Sequence, residues 1–251
     1  MDDQSMSMIT SFSNQHIKGI RTMKNIFLII LILNSFLLSG QEQDSKFRFG
    51  VLGGFGTFNQ SDPKSLNQTA IDQLPFDAKI IDEFEPNYNF GAYAQYHLFQ
   101  KFWIGPEYHY YYTGSRLGQK DYSGIYSFDQ YLHSHTVGLK MGYLLTEIDE
   151  FSFQFQINSG VGFTKWKMDS KLTIGEDSER QIDNLTGFSW YALPSLVVNY
   201  KIFQGFSMVG SAGYSLDLVK KYKYEANSDI KIVKNPDWSG LRLTLGLECE
   251  L

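Results

Sequence analysis

The chain has 251 residues, of which 20% are charged and 16% aromatic, and its formal net charge is −5. A chain of this length holds one large domain or two small ones. The acidic balance argues against a nucleic-acid partner, because phosphate backbones are bound by basic surfaces. The single cysteine, Cys249, excludes a disulfide or a cysteine-based zinc site within one chain.

The N-terminal region has the features of an export signal. Lys24 supplies a positive charge, residues 26–38 form an apolar run, and two small residues precede Gln41. A transmembrane helix is the alternative, but it needs about 18 or more apolar residues and this run is shorter. The sequence therefore divides into an over-extended start at residues 1–22, a signal peptide at 23–40 and a mature domain at 41–251.

Eight segments of the mature chain alternate apolar and polar residues with a period of two, as strands with one apolar face do. The last is the clearest, because every second residue from Leu241 to Leu251 is apolar. A tilted strand needs roughly 9–11 residues to cross a bilayer, and each segment is long enough. The segments are 46–58, 87–98, 102–113, 130–145, 151–167, 188–202, 206–219 and 241–251.

The connections between these segments alternate short and long. The short ones centre on residues 99–101, 146–150 and 203–205, and the long, polar ones are 59–86, 114–129, 168–187 and 220–237. Short periplasmic turns and long outer loops are typical of membrane barrels. The pattern therefore predicts an all-β fold, an eight-stranded antiparallel up-and-down transmembrane β-barrel.

The polar face decides which side of the barrel looks outward, because alternation alone also fits a soluble, lipocalin-like barrel. That face carries small and uncharged polar residues such as Ser152, Gln154 and Gly160, rather than the many charges of a water-exposed surface. Small polar residues suit a crowded barrel interior, so the apolar face is predicted to face lipid. We expect Phe47 and Leu247 to point outward on neighbouring strands.

The few charges on the polar face predict ion pairs inside the barrel. Eight strands leave an interior only wide enough for side chains, and a buried charge without a partner is strongly unfavourable. We expect Glu107 to pair with Lys140 and Arg48 to pair with Glu248. These four residues and Arg242 are then predicted to plug the lumen. A narrow, gated pore is the alternative.

The first strand carries a resemblance to a known family. Residues 47–54 read Phe-Arg-Phe-Gly-Val-Leu-Gly-Gly and follow a signal that ends near a glutamine. Together with the eight alternating strands, they resemble the PorT-like outer-membrane β-barrel family of Bacteroidetes over residues 41–251. The resemblance implies a Gram-negative outer-membrane location and, as for the family's namesake, a part in type IX secretion. It supplies no catalytic motif, and the sequence predicts no cofactor.

Two histidines, His133 and His135, share the apolar face of the fourth segment. No third metal ligand is in phase with them, so we expect side chains at the membrane–water boundary and no metal site. Ser134 points the other way, which leaves the His–Ser chemistry of lipid-modifying barrels unsupported. A lipid-active enzyme is the alternative function. It would need a serine or an acid within hydrogen-bond reach of a histidine, His97 and His109 included.

Five lysines cluster around the last long connection: Lys220, Lys221, Lys223, Lys231 and Lys234. They suit contacts with lipopolysaccharide phosphates in the outer-membrane lipid, because lysine is a good phosphate ligand. The alternative is a solvated hairpin extension, since exposed charges usually contribute little.

The connection at residues 59–86 is acidic but contains apolar residues, among them Ile71, Ile81 and Phe84. A disordered linker lacks such groups, because they signal surface to be buried. We therefore expect this loop to fold partly over the outer mouth and to contact an external protein or glycan partner. The alternative is that it only packs against its own barrel rim. The predicted function is non-enzymatic, membrane-structural or partner-binding, with a link to secretion.

Overall fold

The computed structural model describes residues 47–99, 101–122, 124–225 and 235–251. The expected start and signal peptide lie outside these residues, as do Lys231 and Lys234. The elements in chain order are β1 (Phe47–Gly56), α1 (Ser61–Gln73), β2 (Lys79–Glu83), β3 (Asn87–Phe99), β4 (Phe102–Lys120), β5 (Gly124–Ile148), β6 (Phe151–Ile174), β7 (Asp177–Phe203), β8 (Phe206–Tyr224) and β9 (Gly240–Glu250).

Eight of these strands close into an antiparallel barrel. β1 pairs with both β3 and β9, the strands from β3 to β9 pair in chain order, and the β4–β5 pairing completes the ring. The predicted eight-stranded up-and-down barrel is confirmed. β2 is an additional short strand that pairs with β4 at Ser115–Gly118, above the stretch of β4 that pairs with β3. Closure leaves the eight main strands without a free edge over their paired length.

Side chains alternate between the two faces of the barrel wall, as the sequence predicts. Val51 and Leu247 are partners in the β1–β9 register. Phe47 is 49% exposed and Leu247 is 55% exposed, whereas Arg48 and Leu52 are buried inside. The apolar face therefore looks outward, and the alternative of a lipocalin-like barrel is excluded.

The strands are longer than the segments predicted from sequence. β5, β6 and β7 contain 25, 24 and 27 residues, although roughly 9–11 cross a bilayer. The prediction of long loops at 114–129 and 168–187 was wrong. Both stretches are strand continuations, and the second turns tightly at Gly175, whose φ of 57° favours glycine.

The polarity of the barrel wall reverses along β6. In β6 the inward residues are Gln154 and Gln156 near the short turns but Trp166 farther along, while the outward residues change from Phe163 to Lys165. We call the part between the short turns and the level of Phe163 the belt. We call the strand portions beyond that level, together with β2, the extension. Membrane barrels keep their short turns periplasmic, so the extension is extracellular.

The extension has a dry core. Its buried cluster consists of Phe58, Phe84, Tyr111, Leu132, Trp166, Leu185 and Trp238. Phe84 joins it from a break between β2 and β3, where its φ is 46° and its N–H donates to the carbonyl of Gly114 at 2.8 Å. Aromatic side chains bury large areas, so this cluster holds the extracellular strands together.

Helix α1 caps the same core from above. Asn67 is fully buried and accepts a hydrogen bond from Gln130 Nε2 at 2.7 Å, and its own Nδ2 donates to Ser115 Oγ at 3.1 Å. Gln130 also donates to the carbonyl of Pro63 and accepts from Trp166 Nε1, both at 3.0 Å. The prediction that residues 59–86 fold over the mouth is therefore confirmed. Within the described residues, no helix combines the length and apolarity needed to span a membrane.

Candidate functional site at the extracellular rim

The belt interior is filled by a polar network around Arg48. Arg48 Nε lies 3.6 Å from Glu248 Oε2, and both side chains are 1% exposed. Arg48 also donates to Gln95 at 3.1 Å and to Gln154 at 3.0 Å, and its guanidinium lies 4.2 Å from the Trp103 ring centroid. A buried charge of this kind is tolerated because its donors are satisfied on several sides.

The expected direct ion pair between Glu107 and Lys140 is not formed. Glu107 accepts a hydrogen bond from Tyr191 Oη at 2.9 Å and lies 3.3 Å from His109 Nε2. Lys140 Nζ instead lies 4.1 Å from the centroid of the Tyr93 ring. Cross-strand pairing predicts which residues are neighbours, but it does not predict which of the neighbouring side chains contacts a given carboxylate. Here His109, two residues along the same strand, lies against Glu107.

Arg242 links the lumen to the cap. Its Nη1 donates to the carbonyl of Leu241 at 2.9 Å, and its guanidinium lies between two rings, 4.6 Å from the centroid of Phe58 and 5.0 Å from that of Tyr111. It also donates to the carbonyls of Thr57 and Trp238. Arg242 is 2% exposed, and backbone carbonyls and aromatic faces surround its guanidinium.

The space left in this interior is small. A void bordered by Asn89, His109 and Arg242 has a volume of about 10 Å³, which is about the space of one water molecule. Above it lies the apolar cluster of the extension, including Trp166 and Trp238. The lumen is therefore filled by side chains at this level of the belt and covered at the extracellular end, whereas a cavity of about 180 Å³ bordered by Ser152, Asn199 and Lys201 lies at the short turns.

The histidines of β5 make tyrosine contacts on the outer surface. Tyr110 Oη lies 2.7 Å from His133 Nδ1, and Tyr108 Oη lies 2.7 Å from His135 Nδ1. Ser134 faces the interior and is buried. Aromatic and histidine side chains with polar tips suit the membrane–water boundary. Among the described residues, no group of three or more His, Cys, Asp or Glu side chains could hold a metal ion.

An acid does lie within hydrogen-bond reach of a histidine, at the Glu107–His109 contact of 3.3 Å. This geometry meets the distance requirement of general acid–base chemistry. Both side chains, however, are 3% exposed inside the filled lumen. The pair therefore has no surface on which a lipid substrate could be placed.

The lysines of the last connection separate in the structure. Lys220 turns toward Asp237 Oδ2 at 2.8 Å, whereas Lys221 and Lys223 are exposed on the outer surface. They border an outward groove of about 650 Å³ together with Lys165 of β6. Sequence reasoning missed Lys165, although its phase places it on the same outward face as Phe163.

The connection at 59–86 also separates into a buried and an exposed part. Phe84 and the inner face of α1 are buried, whereas all five residues of β2 are exposed. Ile81 is 68% exposed. Among the described strands β2 pairs with β4 alone, so its other edge is open. An open edge with exposed apolar side chains is an unusual feature that natural sheets generally avoid.

Comparison with known proteins gives structural likenesses only. No protein-family model matches the chain, and no curated protein sequence does. Among solved structures, the Ail attachment invasion locus protein of Yersinia pestis is 12% identical with a TM-score of 0.38, over 83% of this chain and 100% of that chain. The outer membrane protein OprG of Pseudomonas aeruginosa is 12% identical with a TM-score of 0.45, over 84% and 99%.

A major outer membrane protein from Thermus thermophilus is likewise 12% identical, with a TM-score of 0.43 over 82% of this chain and 99% of that chain. The architecture described here rests on the strand register and not on these likenesses. In lipid, only helices and closed barrels satisfy all backbone hydrogen bonds, and barrels of this type span outer membranes. The closed ring and its apolar outer face therefore place the chain in the outer membrane.

Proposed function

We propose that this protein is a non-enzymatic outer-membrane barrel that presents a rigid extracellular surface to a protein partner, and that β2 is the contact. The observation that carries the proposal is the exposed strand Lys79–Glu83, with one edge paired to β4 and the other edge open. An open edge offers unpaired backbone donors and acceptors to an extended peptide. Recognition by strand addition is the mode that this geometry favours.

The side chains of β2 specify the partner further. Ile80 and Ile81 are exposed apolar groups, and Asp82 and Glu83 are exposed acids beside them. A complementary segment would be extended, with apolar residues next to basic ones. Alternate side chains supply the specificity in strand addition, while main-chain hydrogen bonds supply the affinity.

The support beneath β2 is preorganised. Phe84 anchors the end of the strand in the dry core, and α1 is held by Gln130 and Ser115. A contact surface that is ordered before binding loses less conformational entropy when a partner binds. The cap therefore serves the contact surface as well as closing the mouth.

A narrow pore is the less favoured function, because the lumen is filled and covered as described. A secretion role has support only from the PorT-like resemblance of the sequence. A glycan partner is a third candidate, favoured by no particular observation at β2. The identity of the recovered partner distinguishes these cases.

Substitutions on β2 test the proposal more sharply than deletion of the loop, because deletion would remove α1 and uncover Trp166. We expect the double variant Ile80→Ser/Ile81→Ser to lose partner recovery from intact cells. The matched control is Ile174→Ser/Ile182→Ser, which changes two exposed isoleucines elsewhere on the extension. A photo-crosslinking residue at position 81, compared with one at 182, identifies the partner directly.

Equal crosslinking from positions 81 and 182, with normal assembly of both variants, would overturn β2 as the contact. A glycan in the adduct, rather than a protein, would replace the proposed class of partner. Recovery of secretion components at position 81 would extend the proposal to the secretion role.

A further inference from the structure

We infer that the outer surface of β6–β8 binds the phosphate of an outer-leaflet lipid through Lys165, Lys221 and Lys223. This site is separate from the partner contact proposed at β2. The ligand class is an amphipathic lipid whose headgroup carries a phosphate monoester.

The strand register aligns the three lysines across neighbouring strands. One outward row contains His133, Lys165, Thr186 and Lys223 on β5 to β8, and the row beneath it contains His135, Phe163, Phe188 and Lys221. Neighbouring strands are about 4.8 Å apart, so the backbones at Lys165 and Lys223 are about 10 Å apart. Thr186 between them is short. Two lysine side chains can therefore converge above it on one anion.

The three lysines have no acidic partner within the described residues. The lysines that form ion pairs in the described part of the chain are Lys167, with Asp169, and Lys220, with Asp237. None of the ion pairs there involves Lys165, Lys221 or Lys223. Three neighbouring ammonium groups repel one another unless an anion lies between them. This local excess of positive charge lies on a chain whose net charge is −5. Attraction of an anion is the physical consequence.

The floor of the groove indicates a lipid rather than a soluble phosphate. Phe163 and Phe188 lie directly below the upper lysine row, and both are exposed on the outer face. The next row down contains Val161, Trp190 and Val219. These side chains belong to the apolar belt, so an occupant with acyl chains covers them while its phosphate lies at the lysines. An inorganic phosphate makes no contact with them.

The groove is large enough for a headgroup, at about 650 Å³. Lysine binds phosphate as a point charge, and basic side chains at a membrane surface contribute about 1 kcal/mol each to binding anionic lipid. Three such residues account for roughly a hundredfold preference for the phosphorylated lipid. His135 closes the groove on the β5 side.

The test uses the complete barrel in nanodiscs that contain a small fraction of bis-phosphorylated lipid A, with retained lipid counted by native mass spectrometry. We expect Lys165→Gln/Lys221→Gln/Lys223→Gln to retain roughly a hundredfold less phosphorylated lipid. The control Lys101→Gln/Lys120→Gln/Lys171→Gln removes the same charge from exposed lysines outside the groove and should retain it fully. The corresponding triple arginine variant keeps the charge and should also retain the lipid.

Two further arms identify the source of the phosphate. Dephosphorylated lipid A should be retained no better than bulk lipid, and millimolar inorganic phosphate should not displace the phosphorylated form. Equal retention by the glutamine variant and its control would overturn the site. Displacement by inorganic phosphate alone would overturn the assignment to a lipid.

Discussion

The belt and the extension are built from the same strands but have opposite polarity. In the belt, Gln156 faces inward and Phe155 faces outward; in the extension, Trp166 faces inward and Lys167 faces outward. On β6 the period of two and the inward phase do not change between them, whereas on β8 a bulge opposite Trp190 shifts the buried position from Ser215 to Tyr222. What changes is the surrounding solvent, which is lipid outside the belt and water outside the extension.

The opposite polarity of the two halves reflects the source of their stability. The lipid outside the belt provides no hydrophobic driving force for burying apolar groups in the lumen, so the interior is largely polar, with a small apolar cluster of Leu52, Tyr93, Val197 and Val209. The extension stands in water and therefore needs a dry core. The two halves should respond differently to the same kind of substitution.

The largest expected effect comes from breaking the polar network of the belt. Arg48→Met leaves Glu248 buried without its cation, which should cost about 3–5 kcal/mol. Urea unfolding in detergent micelles, followed by tryptophan fluorescence, measures the change. The double variant Arg48→Met/Glu248→Met should recover much of the loss, because neither member of this pair is then left as a buried charge without its partner. A loss for Arg48→Met below about 1 kcal/mol, the value of an exposed pair, would mean that the network does not stabilise the belt.

A smaller and more local effect is expected from uncoupling the cap. Gln130→Leu removes the hydrogen bonds to Asn67, Pro63 and Trp166, and each buried group left unsatisfied costs about 1–3 kcal/mol. The belt should remain folded while α1 becomes accessible to protease. Limited proteolysis followed by mass spectrometry locates the cleavage. Gln181→Leu, at an exposed glutamine, is the control and should stay resistant.

If Gln130→Leu unfolds belt and extension together, the two halves are one cooperative unit and the comparison fails. If cleavage occurs only within residues 59–86, the extension is a separate layer of stability on the same strands. Opening of one region at lower free energy than the whole is common in folded proteins.

Much of the barrel was predictable because the period of two persists through most of each strand and is interrupted only at a few bulges. The outward phase of Phe47 and Leu247 follows from that pattern alone. The parts of the extension at 114–129 and 168–187 were predicted to be loops, because outward residues such as Asp169 and Lys171 are charged where the belt has apolar residues, although they keep the phase of β6. A search for strands whose outward residues change from apolar to charged, while the alternation of inward and outward residues continues, would have found the parts of β6 and β7 that belong to the extension.

The rim was harder to predict, because its features depend on three-dimensional neighbours. Lys165 joins Lys221 only through the β6–β7–β8 register, and Lys220 leaves that group because Asp237 attracts it. The helix α1 carries a broken apolar pattern, since the residue it buries most deeply is Asn67. Because α1 is held to the barrel by hydrogen bonds, a search for periodic apolar residues does not detect its contact face.

The smallest expected effect concerns charges on the outer face of the extension. Asp169 accepts hydrogen bonds from Arg180 Nε at 2.8 Å and from Lys167 Nζ at 3.0 Å, and the Arg180 guanidinium holds the pKa of this carboxyl well below its ordinary value. A depressed carboxyl pKa stabilises the folded state above the unfolded pKa of about 3.9, and that contribution is lost as pH falls through the folded pKa. Because Arg180 is exposed and screened by solvent, Asp169→Asn should cost only about 0.5–1 kcal/mol at pH 7.

The measurement is the free energy of unfolding of the Asp169→Asn variant and of the unsubstituted chain between pH 7 and pH 2. The difference between the two free energies should shrink only below about pH 4, and added salt should reduce that difference at neutral pH. A cost that stays constant down to pH 2, or that salt leaves unchanged, would assign Asp169 a packing role and remove the electrostatic contrast between the wet outer face of the extension and the lipid-facing belt.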